Sequence, residues 1–485
     1  MIDKIKNTLQ HTIIYSIGNF ATKIIGIVLL PLYTSHLTVA DYGVLGILEA
    51  TLIIFSYVFV FGQSSAVLRF FHLQENLDTR IRLISSVLAF LVVVNGVFLI
   101  FSWIILPSIS DLFNYSQLFE TYLKLIVSIV FFKTVNLVLL SILRAREKSL
   151  IYISSNVLKL LVLLSLNIYF VASLGLGVKG IMLAYLIGEV FLFITLIPTC
   201  FSFIRIRFSK NLLKATLNFG FPLIFTSLAA MLLNMENRYF LKLLINYHEA
   251  GLFNTGQKVA GILNILFVQS FSLGVLPLAY KAFGQKGDKR YFSKMNTYFI
   301  FVLVWAGLGI SIFSREIVET FTRQEAYWAA AQIVPILIFS YILSGSNFMA
   351  SLGMYLTKNT KYIAINNVIA LSMSIIFSIL LIPPFKMIGA AWATVLSFLF
   401  LYALSYIKSQ KLYFIPFENN KTILVFLVGI VIYSCTSQIV FTNLVTNFIF
   451  KLVLLLIFPI ILYPLKYYDK IEIDFIKNKL RRISP

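Results

Sequence analysis

The chain has little charge and few of the residues that build metal centres or disulfide scaffolds. Only 12% of its 485 residues are charged, which is about half the share found in a soluble domain. It has two cysteines and four histidines. Both cysteines lie in or beside apolar runs, and no two histidines stand at the spacing of metal ligands. These shortages argue against a disulfide-rich secreted domain and against a metal enzyme.

Motifs for nucleotide chemistry are also missing from the sequence. We find no glycine-rich loop that would cradle phosphates and no Walker lysine. The loops between apolar runs are short and contain no constellation of catalytic residues. The sequence therefore predicts a protein that is not an enzyme, and one that ATP does not drive directly.

Long apolar runs make up most of the chain. Apolar residues account for 59% of it and the mean hydropathy is +0.91. A membrane-spanning helix needs about 20 mostly apolar residues, and on this basis we predict an all-α polytopic membrane protein with about 14 transmembrane helices. The predicted spans are residues 11–35, 42–63, 83–106, 117–142, 150–172, 178–202, 215–237, 252–278, 296–313, 327–352, 362–383, 387–407, 422–441 and 447–465.

Most of the basic residues follow the even-numbered spans. The positive-inside rule then places the N- and C-termini in the cytoplasm. The net charge of +21 is mainly this topology signal. Because the charges are spread over many short loops rather than gathered on one face, no nucleic-acid partner is expected. The basic clusters are Arg80/Arg82, Arg144/Arg146/Lys148, Arg205/Arg207/Lys210/Lys214, Lys281/Lys286/Lys289/Arg290/Lys294, Lys358/Lys361, Lys408/Lys411/Lys421 and the tail from Lys466 to Arg482.

Short motifs recur in the same order about 210 residues apart. The aligned pairs have offsets of 208, 209 and 211 residues: Gly43 with Gly251, Gly180 with Gly389, and Ser155–Val157 with Asn366–Val368. Their order and near-constant offset indicate a duplicated half-transporter. An even number of spans per repeat means that both halves insert the same way up, so an axis along the membrane normal relates them.

This repeat predicts three parts of the chain. Residues 1–210 form an N-terminal six-helix lobe, and residues 211–411 form a C-terminal six-helix lobe. Residues 412–485 add two transmembrane helices and a basic cytoplasmic tail. Two such lobes naturally enclose a cavity that opens to one side at a time.

Four lysines fall well inside predicted spans. A charge at the bilayer centre costs about 2.5–3.5 kcal/mol on insertion scales, so such residues usually face a protein interior or a watery cavity. Lys23 shares a polar stripe with Asn19 on the first span. The other three lysines are Lys133, Lys159 and Lys258.

Two interpretations of these lysines stay open. They could line a cavity that receives an anionic group such as a pyrophosphate, since lysines outnumber carboxylates within the spans. Alternatively, they snorkel or pair with Glu49, Glu189 or Glu236 as structural contacts. Those carboxylates are in turn either coupling sites for an ion or a proton, or structural partners.

Several motifs resemble the inter-span turns of the Wzx-type polysaccharide flippases. This family belongs to the MOP superfamily, which also contains the MATE exporters and the lipid II flippases. The family often has Asp-Arg where this chain has Asn237-Arg238, so a role for that acid does not carry over. The segments concerned are Pro31-Leu32-Tyr33-Thr34-Ser35-His36-Leu37, Ala40-Asp41-Tyr42-Gly43-Val44-Leu45-Gly46, Asn237-Arg238-Tyr239-Phe240-Leu241, Ala250-Gly251-Leu252-Phe253 and Lys258-Val259-Ala260.

The resemblance implies a V-shaped transporter that flips an undecaprenyl-pyrophosphate-linked oligosaccharide to the outer leaflet for O-antigen, capsule or exopolysaccharide assembly. Basic residues on spans one and eight line the cavity in relatives, and Lys23 and Lys258 match those positions. No cofactor is implied apart from ion or proton coupling. The implied partners are a polyprenyl-pyrophosphate-linked glycan, membrane lipid and a membrane glycan polymerase. The implied location is the bacterial cytoplasmic (inner) membrane. The full set of candidate substrate-binding residues is Lys23, Lys258, Asn19, Lys133, Lys159 and Arg238.

Three other functions were weighed against this one. A MATE-like cation or drug antiporter would need mid-membrane acids, whereas the first span carries Lys23 and no carboxylate. A lipid II flippase would use the same mechanism with another cargo. A non-transporting scaffold for a glycan polymerase would gain nothing from burying lysines.

Overall fold

Helices form all the regular structure in the part of the chain that the computed structural model describes, residues 26–112, 117–203, 205, 207–439, 441, 443–469 and 473. The first nine α-helices are α1 (Leu30–His36), α2 (Val39–Phe59), α3 (Gln63–Leu73), α4 (Leu77–Leu112), α5 (Gln117–Ala145), α6 (Ser149–Asn167), α7 (Gly177–Cys200), α8 (Lys210–Leu244) and α9 (Tyr247–Leu263). The others are α10 (Ser270–Ala282), α11 (Asp288–Ile312), α12 (Ser314–Phe321), α13 (Val334–Ala350), α14 (Leu352–Leu356), α15 (Lys361–Leu412), α16 (Asn419–Gln438) and α17 (Leu444–Ile461). Segments of π-helix (Ile168–Ser173 and Asn264–Gln269) and 3₁₀-helix (Phe201–Phe203 and Glu325–Ile333) continue several of them.

The described helices match the predicted spans and confirm a multi-pass all-helical membrane protein. Eleven helical stretches in the described residues are long and apolar enough to cross a membrane. One of them, α15, holds two predicted spans, because its backbone turns at Lys386 (φ 51°) just after Pro383 and Pro384. Proline removes a helical hydrogen bond and clashes with the preceding turn, which explains the break. The first predicted span, 11–35, lies largely outside the described residues.

The helices group into two compact units. The first unit comprises residues 1–255, 321–327 and 367–393, and the second comprises 256–320, 328–366 and 394–485. The predicted division at residues 210 and 411 stays a prediction.

The first repeat motif forms the start of α2. The Thr38 Oγ1 accepts a hydrogen bond from the Asp41 backbone N–H at 3.1 Å, and the Asp41 carboxylate accepts from the Thr38 backbone N–H at 3.3 Å. This reciprocal capping box satisfies two of the N–H groups that a helix leaves unpaired at its first turn. The helix start is thereby fixed immediately before Gly43.

The two glycines that the repeat pairs with each other are in direct contact. A Cβ on Gly43 would overlap the carbonyl oxygen of Tyr247, and a Cβ on Gly251 would overlap that of Val39. The contact is reciprocal, because Val39 and Tyr247 are themselves related by the offset of 208 residues. Only glycine lets two helix backbones approach this closely. The starts of α2 and α9 therefore cross backbone to backbone, and the crossing has pseudo-twofold symmetry.

A second close contact of backbones lies just beyond the other end of α2. Phe61 and Gly62 adopt left-handed conformations (φ 50° and 66°), so the chain turns before α3 begins. A Cβ on Gly220 of α8 would lie 2.5 Å from the Phe61 carbonyl oxygen, and one on Gly62 would overlap the Gly220 carbonyl oxygen. Gly43 and Gly62 are roughly 28 Å apart along the helix at 1.5 Å per residue, about the thickness of the bilayer core. Glycine contacts thus hold α2 near both of its ends.

The second pair of repeated glycines also has matching surroundings. A Cβ on Gly180 would lie 3.2 Å from the carbonyl oxygen of Phe170, and one on Gly389 would overlap the carbonyl oxygen of Leu381. In both places the glycine lets a helix fold back against the helix that precedes it. The two observations support the alignment on which the duplication was inferred.

In the second unit, ion pairs tie the segment after the last helix to α11 and α16. The Asp469 carboxylate accepts hydrogen bonds from Lys294 and from Lys421, the latter at 2.7 Å. Lys294 also pairs with Glu418 at 2.8 Å. The two lysine ammonium groups lower the pKa of the Asp469 carboxyl to about 2.

We expect Asp469→Asn to lower the free energy of unfolding of the purified protein, because the ion pairs with the two lysines are lost. The loss should be only roughly 1 kcal/mol, because the pairs are partly exposed and screened by solvent. The folded-state pKa of Asp469 lies below its unfolded value of about 3.9. The stabilisation is therefore complete above about pH 4 and is lost as the pH falls toward 2. Thermal unfolding in detergent at neutral pH would measure the change. The prediction fails if Asp469→Asn is as stable as Asp111→Asn, a substitution of the same kind that lies far away in sequence.

Candidate functional site

A buried carboxylate in the first unit lies between a lysine and an asparagine from two neighbouring helices. Glu189 of α7 is 6% exposed. Its Oε1 pairs with the Lys159 Nζ of α6 at 2.6 Å, and its Oε2 accepts a hydrogen bond from the Asn136 Nδ2 of α5 at 2.8 Å. The Lys159 side chain keeps 18% of its surface exposed. The ion pair is therefore buried on the Glu189 side and accessible on the Lys159 side.

Two further charges extend this arrangement. Lys133 of α5 interacts electrostatically with Glu189, Lys159 and Glu49. Glu49 of α2 accepts a hydrogen bond from the Tyr185 hydroxyl of α7 at 2.9 Å. Four helices thus contribute one charge each to a set that we call the charge cluster: Glu49, Lys133, Lys159 and Glu189.

The charge cluster shows which carboxylate pairs with Lys159. Lys159 was a candidate for a cationic cavity, and the structure pairs it with Glu189. With two lysines and two glutamates, the cluster has no net formal charge. Its members that keep partly exposed surface, Glu49, Lys133 and Lys159, can contact hydroxyl and phosphate oxygens of a ligand through both donors and acceptors.

Arg238 holds helices together. It is 8% exposed, and its Nη1 donates to the Gly46 carbonyl oxygen of α2 at 3.0 Å. Asn254 of α9 contacts the same stretch of α2, because its Nδ2 donates a hydrogen bond to the Tyr42 carbonyl oxygen at 3.4 Å. These contacts reinforce the crossing of α2 with α8 and α9 near the Gly43–Gly251 contact.

Glu236 of α8 lies in a separate polar site formed with the first half of α15. It is 5% exposed. Its Oε1 accepts from the Ser374 hydroxyl and from the Asn237 Nδ2 at 3.2 Å, and Asn237 accepts from the Ser378 hydroxyl at 2.9 Å. The Glu236 Oε2 is buried and has no hydrogen-bond partner among the described residues. Serine and amide groups, rather than a lysine, supply the hydrogen bonds described for this carboxyl.

The other candidate residues are placed as follows. Lys258 is half-buried on α9 and belongs to the second unit, whereas the charge cluster belongs to the first. Lys23 and Asn19 lie outside the described residues. In the described ranges, no group of three or more His, Cys, Asp and Glu side chains could hold a metal ion.

One further intramembrane lysine was not predicted from the sequence. Lys451 of α17 is 9% exposed and pairs with Glu316 of the short helix α12. It lies within the last predicted span, 447–465, so a count of all lysines inside spans would have found it. An apolar groove of about 550 Å³ lies nearby, and its lining includes Trp305, Phe313 and Leu455.

Apolar helices of spanning length define a multi-pass membrane protein. The same fold occurs in a solved MATE family transporter of the MOP superfamily. The chain belongs to the polysaccharide biosynthesis protein family, whose model matches residues 8–283. This confirms the relationship that the inter-span motifs indicated.

Solved structures with this fold include a lipid II flippase, MurJ, in an inward closed conformation, with a TM-score of 0.75, 17% identity, and coverage of 93% of this chain and 99% of that one. An inward-facing multidrug resistance MATE family transporter matches with a TM-score of 0.65, 16% identity, and coverage of 81% and 95%. At these identities the likeness establishes the fold alone.

Two relatives match by sequence. An uncharacterized membrane protein of Methanocaldococcus jannaschii is 30% identical over 200 residues, which cover 39% of this chain and 38% of that protein. A protein of the Lsg locus of Haemophilus influenzae is 23% identical over 283 residues, covering 57% of this chain and 67% of that protein. The match thus spans less than half the length of the archaeal relative.

Proposed function

We propose that the protein flips an undecaprenyl-pyrophosphate-linked oligosaccharide from the cytoplasmic to the outer leaflet, for assembly of O-antigen, capsule or exopolysaccharide. The observation that carries the proposal is membership of the polysaccharide biosynthesis family in a chain with a transporter fold. The cargo would pass by alternating access between the two repeats. Its charged and hydroxylated head group would contact intramembrane polar residues, because lipid tails cannot solvate it.

The proposed contacts come from two groups of residues. Lys23, Asn19 and Lys258 would meet the pyrophosphate, as the resemblance implies. Lys133 and Lys159, within the charge cluster, would meet pyrophosphate or sugar oxygens, and Arg238 would keep the neighbouring helices in place. The protein would lie in the bacterial inner membrane with both termini in the cytoplasm, and would deliver its cargo to a membrane glycan polymerase.

Deleting the gene and analysing polyprenyl-linked glycans by mass spectrometry tests this function. We expect a complete repeat unit to accumulate on its lipid, accessible only from the cytoplasmic side, and surface polymer to be lost. An unchanged lipid-linked pool with intact surface glycan would refute the proposal. If the cells die with lipid II accumulating instead, the cargo is lipid II.

The lysine assignment has its own test in cells that carry Lys23→Gln and Lys258→Gln together. We expect surface polymer to fall at least tenfold, because two charges that neutralise the pyrophosphate are removed. Quantifying the polymer per cell at matched protein levels measures the effect. Lys361→Gln with Lys408→Gln, two basic residues just outside the spans predicted from sequence, is the matched control. Equal export by both double variants would refute the assignment.

A cation or drug antiporter is the second candidate, and the Glu236 site favours it. A buried carboxyl surrounded by Asn237, Ser374 and Ser378 suits a cation or a proton better than a phosphate. Overexpression would then raise tolerance to cationic drugs, and Glu236→Gln would abolish that gain. Unchanged tolerance to every cationic drug tested would exclude this function.

A further inference from the structure

The carboxylate of Glu189 occupies the position at Lys159 that an anionic ligand would need. It accepts one bond from the Lys159 ammonium at 2.6 Å and one from the Asn136 amide at 2.8 Å. Ammonium and amide N–H groups are the donors that bind phosphate oxygens in proteins. The Asn136 amide directs its N–H groups to the Glu189 carboxylate and backbone carbonyl, and the hydrogen bond described for the Lys159 ammonium goes to the same carboxylate. The inference that follows rests on the proposed function.

Counted over the described residues, the charge cluster is balanced without a ligand. Lys133 and Lys159 are matched by Glu189 and Glu49, and Glu49 is also hydrogen-bonded to Tyr185. A pyrophosphate entering this balanced set would add negative charge beside two carboxylates. Like charges at a few ångströms repel strongly inside a membrane protein. Binding therefore requires one carboxylate to lose its charge or to move away.

The Glu189 carboxylate relies on the Lys159 ammonium to compensate its negative charge. It is buried, and its oxygens are held by Lys159 and Asn136. If a phosphate oxygen took over both donors, Glu189 would remain as a buried anion, with Lys133 as the nearby cation among the described residues. An uncompensated buried carboxylate costs several kcal/mol, and taking up a proton removes that cost.

We propose that Glu189 is a built-in counter-ion which a pyrophosphate group displaces from Lys159, and that Glu189 takes up one proton from water as the ligand binds. No covalent bond of the ligand changes. The carboxylate becomes a carboxylic acid, and the ammonium exchanges one oxygen partner for another. Cargo binding and proton binding are then linked at one residue, so that releasing the cargo returns the proton.

In the part of the chain that the structure describes, few other groups near Glu189 could supply this linkage. Lys159 of α6 and Lys133 of α5 face Glu189, and Glu49 of α2 faces Lys133. Tyr185 lies one turn away on the same helix and donates to Glu49. Arg146 contacts α7 at the Thr199 carbonyl oxygen, almost three turns from Glu189. Of these groups, Glu49 is the carboxyl that could be confused with Glu189, and a Glu49→Gln variant separates them.

Titration calorimetry of the purified full-length protein with inorganic pyrophosphate tests the linkage. Each titration is run in Tris and in HEPES at pH 8, and the difference in heat gives the number of protons exchanged. We expect the native protein to take up about one proton more per bound pyrophosphate than Glu189→Gln does. Glu189→Gln should also bind at least tenfold more tightly, because a neutral amide does not compete with pyrophosphate for the Lys159 ammonium. Glu325→Gln, at an exposed position, should behave like the native protein.

A measurement on the native protein guards against a variant that does not fold. The infrared difference spectrum on adding pyrophosphate should show a new carboxylic acid carbonyl band, and this band should persist in Glu49→Gln. Equal affinity and equal proton exchange in the native protein and Glu189→Gln would overturn the proposal, as would the absence of the band.

The failure of this inference can be told apart from failure of the proposed function. If pyrophosphate does not bind, yet gene deletion leaves lipid-linked glycan on the cytoplasmic side, the counter-ion role is wrong and the flippase function stands. If deletion changes no glycan, while pyrophosphate binding depends on Glu189 as described, the counter-ion role is supported and the cargo is another pyrophosphate.

Discussion

Gly251→Leu is expected to abolish export and to lower the yield of folded protein sharply. Any Cβ at this position would overlap the Val39 carbonyl oxygen, and the backbone N–H of Gly43 would be 3.1 Å away. Backbone atoms cannot swing aside as a flexible side chain does, so α2 and α9 must separate. Even Gly251→Ala should cost about 1–3 kcal/mol, the usual range for overpacking. Thermal unfolding in detergent and surface polymer per cell are the two measurements.

Gly274→Leu is the matched control for this prediction. Gly274 lies on α10, and a Cβ there would meet nothing within 4 Å. If Gly251→Leu proved as stable and active as Gly274→Leu, the close crossing of α2 and α9 would be wrong. Gly43→Ala combined with Gly251→Ala gives a further check. The double variant should lose less free energy of unfolding than the two single variants added together, because both substitutions open the same crossing.

Lys159→Met is expected to lower the free energy of unfolding by about 3 kcal/mol. The substitution removes the cation 2.6 Å from the Glu189 carboxylate and leaves that buried group uncompensated. Breaking a buried pair by removing one partner typically costs 3–5 kcal/mol. The low end applies here because Lys159 keeps 18% of its side chain exposed and Lys133 is nearby. Denaturation followed by intrinsic fluorescence would measure the loss.

A double variant and a second ion pair make this test specific. Lys159→Met with Glu189→Gln should recover most of the lost stability, since no charge is left uncompensated. Lys124→Met breaks the pair with Glu120 within the first turns of α5 and should cost less than about 1 kcal/mol. The interpretation is wrong if Lys159→Met costs no more than Lys124→Met, or if the double variant is the least stable.

The helices and the duplication could be predicted from sequence because both depend on local patterns. Runs of apolar residues define spans by length and composition alone. The alignment of Gly43 with Gly251 also predicted equivalent environments, and the structure places the two residues against each other. That direct contact could not be predicted, since a repeat shows that two sites are alike and says nothing of the distance between them.

The partners of the buried charges could not be predicted from sequence for a physical reason. Lys159 had three carboxylates as candidate partners, and the choice depends on how each helix is rotated about its axis. A rotation of one residue, about 100°, moves a side chain to another face. The turn at Phe61 and Gly62 was missed for a related reason. It lies at the end of an apolar run, where composition does not separate a helix that ends from one that turns and continues.

The reciprocal contact between Val39–Gly43 and Tyr247–Gly251 has a consequence for how such a chain arose. In a half-length ancestor that paired with a second copy of itself, a single glycine would have served both sides of the dimer axis. A mutation of that glycine would have changed both halves of the symmetric interface at once. After gene duplication and fusion, each side could change without the other, and the cap residues already differ, with Thr38 before one helix and Asn246 before the other. Glycine is present on both sides, which marks the crossing as the part of the contact where no side chain fits.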